Sequence, residues 1–168
     1  MEMKNIKRFI LIILMLGFWN FSFAQEKEIV KILNRELKRE VKNQFKSSNF
    51  NGDTIKIIEG FSIKDKILTF TIRKTSPYFN GYQIINQQVP LNKIKKIGKD
   101  IQIILETEKS AVKAHFTTFD EAPKEQVINE SLFFLYFSSK KENDDLGIEL
   151  LEAFRKAGYE VQKENWYD

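Results

Sequence analysis

The chain has one histidine, His115, and no cysteine. Those two facts remove most metal and nucleophile chemistry. Structural zinc needs clustered Cys or His ligands, so no metal site is expected. His115 falls out of step with Val112, Ala114 and Phe116, which places it on the solvent side of a strand. A general base also needs an orienting acid and a nucleophile within reach. Asp120 and Glu121 are near in sequence, but no G-x-S-x-G elbow exists. NDDLGIE, residues 143 to 149, resembles a calcium loop in composition only, because Leu146 and Ile148 stand where oxygen ligands belong. The glycines are isolated, so there is no phosphate-cradling loop, and no cofactor signature is present. A pair of carboxylates brought together in space for hydrolysis remains open to the sequence. No catalytic residue is assigned.

Two stretches suit binding instead. SPYFNGY, residues 76 to 82, carries Tyr78, Phe79 and Tyr82 between Pro77 and an Asn-Gly turn. Aromatics held in a restricted loop anchor partners at reduced entropic cost, or else fold over the end of a sheet. LNKIKKIGKD, residues 91 to 100, carries Lys93, Lys95, Lys96 and Lys99. Wound as a helical turn, it sets these lysines opposite Leu91, Ile94 and Ile97, as a cationic or simply solvated face.

The elements that must position these residues are legible in outline. Val30, Leu33, Leu37, Val41 and Phe45 recur at steps of three or four and predict a helix over 26–46. SSNFNGD, residues 47 to 53, breaks it. Alternation then predicts strands from Ile55, bent at Glu59-Gly60, and from Leu68 to Ile72, with a polar turn at Lys64-Asp65-Lys66. Further strands are expected at Tyr82–Val89, Ile101–Leu105 and Val112–Phe116. Residues 117–130 read as a loop, and Leu132–Phe137, apolar on both faces, as a central strand. Leu146, Leu150, Phe154 and Ala157 predict a second amphipathic helix, with an acidic start at Asn143-Asp144-Asp145 and Gly158 at its end.

The expected class is α+β: an N-terminal helix, a curled antiparallel sheet or barrel of six or seven strands, and a C-terminal amphipathic helix. From Thr54 to Ala157 this order resembles the pleckstrin-homology-like barrels, a strand meander followed by one helix that plugs the end. The resemblance is one of element order and no motif carries it. A helix followed by a curled antiparallel sheet is also similar to cystatin-like folds.

The N-terminus sets the expected compartment. Lys4, Lys7 and Arg8 precede an unbroken apolar run from Phe9 to Trp19. A membrane-spanning helix needs roughly 20 apolar residues, and this run fits the centre of a secretory signal peptide better. Ser22 and Ala24 supply the small-x-small exit before Gln25. Residues 1–24 are thus expected to be a signal peptide, and 25–168 a single domain. Membrane contact is expected only through an uncleaved signal peptide. On cleavage Lys plus Arg falls from 27 to 24 and Asp plus Glu from 23 to 22, so the net charge drops from +4 to +2. That balance argues for no nucleic acid partner. Without cysteine, stability rests on packing.

The sequence thus points to a secreted or periplasmic, non-enzymatic binding domain with an unidentified envelope protein or component as partner. A small apolar-ligand carrier and a carboxylate-based hydrolase are the alternatives. The export reading has a direct check. Intact-mass analysis of the exported protein should give a chain beginning at Gln25; a mass that retains residues 1–24 rejects cleavage.

Overall fold

The computed structural model describes residues 25–46, 50–120, 122–138 and 142–167. The expected signal peptide and its exit site lie outside the described residues. Helix α1 covers 25–43 and tightens into a 3-10 turn, Gln44–Lys46. Its buried stripe is Ile29, Ile32, Leu33 and Leu37. Phe45, expected to extend that stripe, lies in the 3-10 turn and is exposed.

Among the described residues nine strands follow: β1 Thr54–Lys64, β2 Ile67–Thr75, β3 Tyr82–Pro90, β4 Ile94–Lys99, β5 Ile103–Thr107, β6 Val112–Phe119, β7 Pro123–Glu130, β8 Leu132–Phe134 and β9 Gln162–Trp166. Helix α2, Asp144–Lys156, stands between β8 and β9. One sheet has the order β1-β2-β3-β6-β7 and the other β8-β5-β4-β9. All neighbours are antiparallel except β4 and β9.

The protein is therefore α+β with an N-terminal helix and an antiparallel-rich sheet system, but the sheet does not close into a barrel. β1 and β7 remain edges of the first sheet. The second helix is also not the last element, since β9 follows it and pairs with β4.

Turn chemistry fixes the first hairpin. Asp65 and Lys66 both adopt positive φ, 51° and 62°, as a two-residue type I′ turn requires. Gly81 closes the β2–β3 loop at φ 74°, where a Cβ would stand 1.9 Å from the Phe119 carbonyl oxygen. Glycine is the residue this approach allows.

The two sheets and α2 bury one apolar cluster with α1. Its aromatic centre is Phe61 stacked on Phe70 at 4.5 Å, with Phe133 edge-on to Phe70 at 5.5 Å and Phe137 edge-on to Phe61 at 6.0 Å. α2 adds Leu146, Leu150 and Phe154. A forked ion pair from Arg35 to Glu149, at 2.9 and 2.5 Å, joins α1 to α2.

Three segments differ from their sequence patterns. Leu132–Phe137 is not a central strand: β8 is three residues long and sits at the edge of its sheet. Phe133, Leu135 and Phe137 are buried, whereas Leu132, Phe134 and Tyr136 are half-buried. Residues 117–130 are not a loop. β6 runs on to Phe119 and β7 pairs with it along Pro123–Glu130. β7 is exposed on both faces, so no alternation marked it. Leu91–Lys93 is a 3-10 turn, but the chain then extends into β4.

The first helix is fixed to the first sheet by amide clamps. Asn34 Nδ2 donates to the Phe61 carbonyl at 2.8 Å, and the Phe61 N–H donates to Asn34 Oδ1 at 2.9 Å. Gln44 does the same for Ile55, at 3.3 and 2.8 Å. A Cβ at Gly60 would stand 2.4 Å from Asn34 Oδ1, so glycine admits the clamp. Asn34→Ala leaves both backbone groups of buried Phe61 without these partners and should cost about 1–3 kcal/mol in urea melts. Asn92→Ala, at an exposed position, should stay within about 0.5 kcal/mol. Equal losses in the two variants would show that the clamp contributes nothing.

Candidate functional site

A cleft of about 140 Å³ opens where five segments meet. α1 and its 3-10 turn supply Glu40 and Gln44; the approach to β1 supplies Phe50, Asn51 and Asp53. β2 supplies Lys74, the β4–β5 turn supplies Ile101 and Gln102, and the segment after β8 supplies Tyr136 and Ser138. The floor is polar and internally bonded. Lys74 Nζ and Ser76 Oγ donate to Asp53, at 2.7 and 2.5 Å. Ser138 Oγ donates to the buried Glu40 carboxylate at 3.0 Å. Gln44 spends both ends of its amide on Ile55 and forms a fixed wall.

Two titrating groups of the cleft, Asp53 and Tyr136, are shifted from their ordinary values. Burial works to raise the Asp53 carboxyl, but hydrogen bonds from Lys74 and Ser76 outweigh it and hold the group below its ordinary value. Burial pushes the Tyr136 phenol well above its ordinary value, and the charges of Glu130 and Asp53 add to this against a hydrogen bond with Gln87. Tyr136 is also held at φ 59°, a left-handed conformation uncommon for a bulky residue. Strain of this kind collects at ligand-contacting sites.

The rim is apolar and open. Ile101 is 71% exposed, and Phe45, 67% exposed, stands edge-on to Phe50 at 5.5 Å. Large apolar side chains grouped at the mouth of a polar cleft mark a contact surface more readily than scattered ones do.

The aromatics singled out in the sequence reach this region in part. Tyr78 is 80% exposed, and Phe79 is half-buried. Their loop flanks the cleft: Pro77 lies against Gly52, and Ser76 bonds Asp53. Tyr82 does not join them. It stacks on Phe119 at 4.7 Å and carries the Arg73 guanidinium 4.2 Å over its ring.

The lysines do not form one cationic face. Lys93 and Lys95 both bind Glu108, at 2.7 and 3.0 Å, and hydrogen bonds from Lys93 and then Lys95 hold that carboxyl below its ordinary value. Lys96 pairs with Glu164 and with Glu106. Lys99 is 4% exposed and donates to Asn143 Oδ1 at 3.0 Å. The helical-turn reading fails for them because β4 is extended, so acids of β5, β9 and the turn after β5 come within reach.

Glu40, Asp53, Lys74, Ile101 and Tyr136 escaped the sequence reading because they meet only in space. Phe50, a lone aromatic in a polar breaker, was the one local signal. Among the described residues no cluster of His, Asp or Glu could hold a metal ion, and no helix is long and apolar enough to cross a membrane. No protein-family model matches the chain, nor does any curated protein or solved structure.

The depressed Asp53 carboxyl implies a pH signature. A group whose folded value lies below its unfolded value of about 3.9 contributes stability that is complete above that pH. The contribution is lost as pH falls through the folded value. Asp53→Asn should therefore lose less stability on acidification than the parent protein does. Melts across the acid range check this; parallel profiles would remove the ion pair from the cleft's energetics.

Proposed function

We propose that this chain is a secreted or periplasmic, non-enzymatic binding domain, and that it engages an envelope partner through the cleft and its rim. One observation carries the reading. Asp53, already bonded to Lys74 and Ser76, shares the cleft with exposed Phe50 and Ile101, and exposed Phe45 stands edge-on to Phe50. Such a surface needs little rearrangement on contact. Its aliphatic and aromatic rim supplies area, while Gln102 and Asn51 offer hydrogen-bonding groups for orientation.

Binding is favoured over proton-transfer chemistry because Asp53 and Tyr136 are each shifted away from the range a general acid or base needs. The small-ligand carrier is less favoured, since the cleft is small and charged Glu40, Asp53 and Lys74 are among the residues that line it. Within this reading Tyr78 and Phe79 form the flank of the same surface. Tyr82, Lys93, Lys95, Lys96 and Lys99 lie outside it. The pleckstrin-homology-like likeness enters only as element order, a strand meander followed by a helix, and contributes no site.

Photocrosslinking from position 50 in the producing cell's envelope is the test. A single crosslinked partner should appear and be lost in the Phe45→Ala, Ile101→Ala variant, with the melting temperature nearly unchanged. Retention of the same product in that variant would move the contact elsewhere. Loss in Tyr78→Ala alone would assign it to the neighbouring loop.

A further inference from the structure

The two sheets have four edges, and three are blunted. β1 is bulged, with register shifts on either side of Glu59, and its backbone is held by the amides of Asn34 and Gln44. β8 has three residues, and its Phe134 N–H donates to Gln87 Oε1 at 3.1 Å. β9 has five residues and a register shift against β4.

β7 is different. It pairs with β6 without a shift from Val112↔Glu130 to Phe119↔Pro123, and six of its eight residues are exposed. Among the described residues nothing pairs with its outer edge. A long, regular edge of this kind is a template for another strand.

We propose that β7 pairs antiparallel with β7 of a second copy of this chain. The sheets then join across a two-fold axis into ten strands, five from each copy. The charges of β7 select both the occupant and the register. A two-fold axis normal to the sheet keeps each face on its own side, so directly opposed residues must share a face. The registers that keep at least five residues of the strand in the ladder are centred on Glu125, Gln126, Val127 or Ile128, and the first sets Glu125 against its own copy, a like-charge pair.

Centring on Gln126 sets Lys124 against Ile128 and Glu125 against Val127 of the second copy. Centring on Ile128 sets Gln126 against Glu130 and Val127 against Asn129. Only the register centred on Val127 opposes Lys124 to Glu130, and it does so twice, once on each side of the axis. It also brings Val127 against Val127, both half exposed in the single copy. Opposite charges directly across a ladder stabilise it, and like charges oppose it. Charges that usually keep an edge free of partners here complement the strand's own copy.

Light scattering across a concentration series should give twice the chain mass, and a single-chain mass up to the solubility limit overturns the proposal. Lys124→Glu sets Glu against Glu130 at both ends of the ladder and should weaken dimerisation about tenfold or more. Glu130→Lys should do the same, and the double charge reversal should restore the dimer. Equal dimerisation in all four proteins assigns the contact to another surface and overturns the register. Because the chain has no cysteine, Val127→Cys gives an independent reading that needs no intact charge pair. On mild oxidation it should yield a covalent dimer in high proportion. A monomeric product under conditions where the parent is dimeric overturns the Val127-centred pairing.

Discussion

Two carboxamides on one helix take the place of a missing strand. Asn34 and Gln44 each exchange both hydrogen bonds with a single residue of β1, Phe61 and Ile55 respectively. A narrow antiparallel pair makes the same exchange between two backbones. β1 can therefore be bulged at Glu59 and still have backbone partners on its outer side. Much else depends on this arrangement. Phe61, held in place by Asn34, stacks on Phe70 and begins the aromatic core. Gln44, held against Ile55, forms one wall of the cleft. The same clamp places Phe45 just beyond the last turn of α1, where its ring meets Phe50 instead of the core.

α1 is also oriented by its acids. Glu26, Glu36 and Glu40 lie on the buried side of the helix, among its apolar residues. Tyr159 meets Glu26 at 2.7 Å and Ser138 meets Glu40 at 3.0 Å from other elements, whereas Glu36 is bonded within the helix by Arg35 at 2.7 Å. A buried carboxylate is costly unless it is bonded, so the contacts of Glu26 and Glu40 restrict how the helix can rotate or slide. An apolar stripe alone would tolerate more. The exposed lysine pairs of β4 do less, because solvent screens them.

Local patterns announced the elements whose two sides face different surroundings. α1, the β1–β2 hairpin, β3 and α2 each have a clear buried face, and each was legible. The acidic start and the buried stripe of α2 fall where Asp144 and Leu146, Leu150 and Phe154 suggested. β7 and β8 were misread for opposite reasons. β7 is wet on both faces and carries no period, while β8 is apolar on both faces yet stands at an edge. Closure of the sheet was not legible either. It depends on which strand β1 meets, and the amides that take that place sit 11 and 27 residues away. The cleft was hidden for the same reason, since its floor joins Lys74 to Asp53 and Ser138 to Glu40, 98 positions apart. Local signatures were confined to the Tyr78 loop, which flanks it, and to Phe50 in the breaker before β1.

The parallel pairing of β4 with β9 bears on the order in which the molecule assembles. Every strand of the five-stranded sheet has been synthesised by Glu130, and most of its pairings join neighbours in sequence. The second sheet waits for residues 162–166, which must return across α2 to lie beside β4, with Trp166 Nε1 donating to the same Asn143 oxygen that accepts from Lys99. Closing a longer loop costs more entropy and comes later. A chain emerging from its N-terminus therefore has a meander ready to form while one flank of β4 is still bare. That flank is the surface a chaperone would have to shield until the final strand arrives.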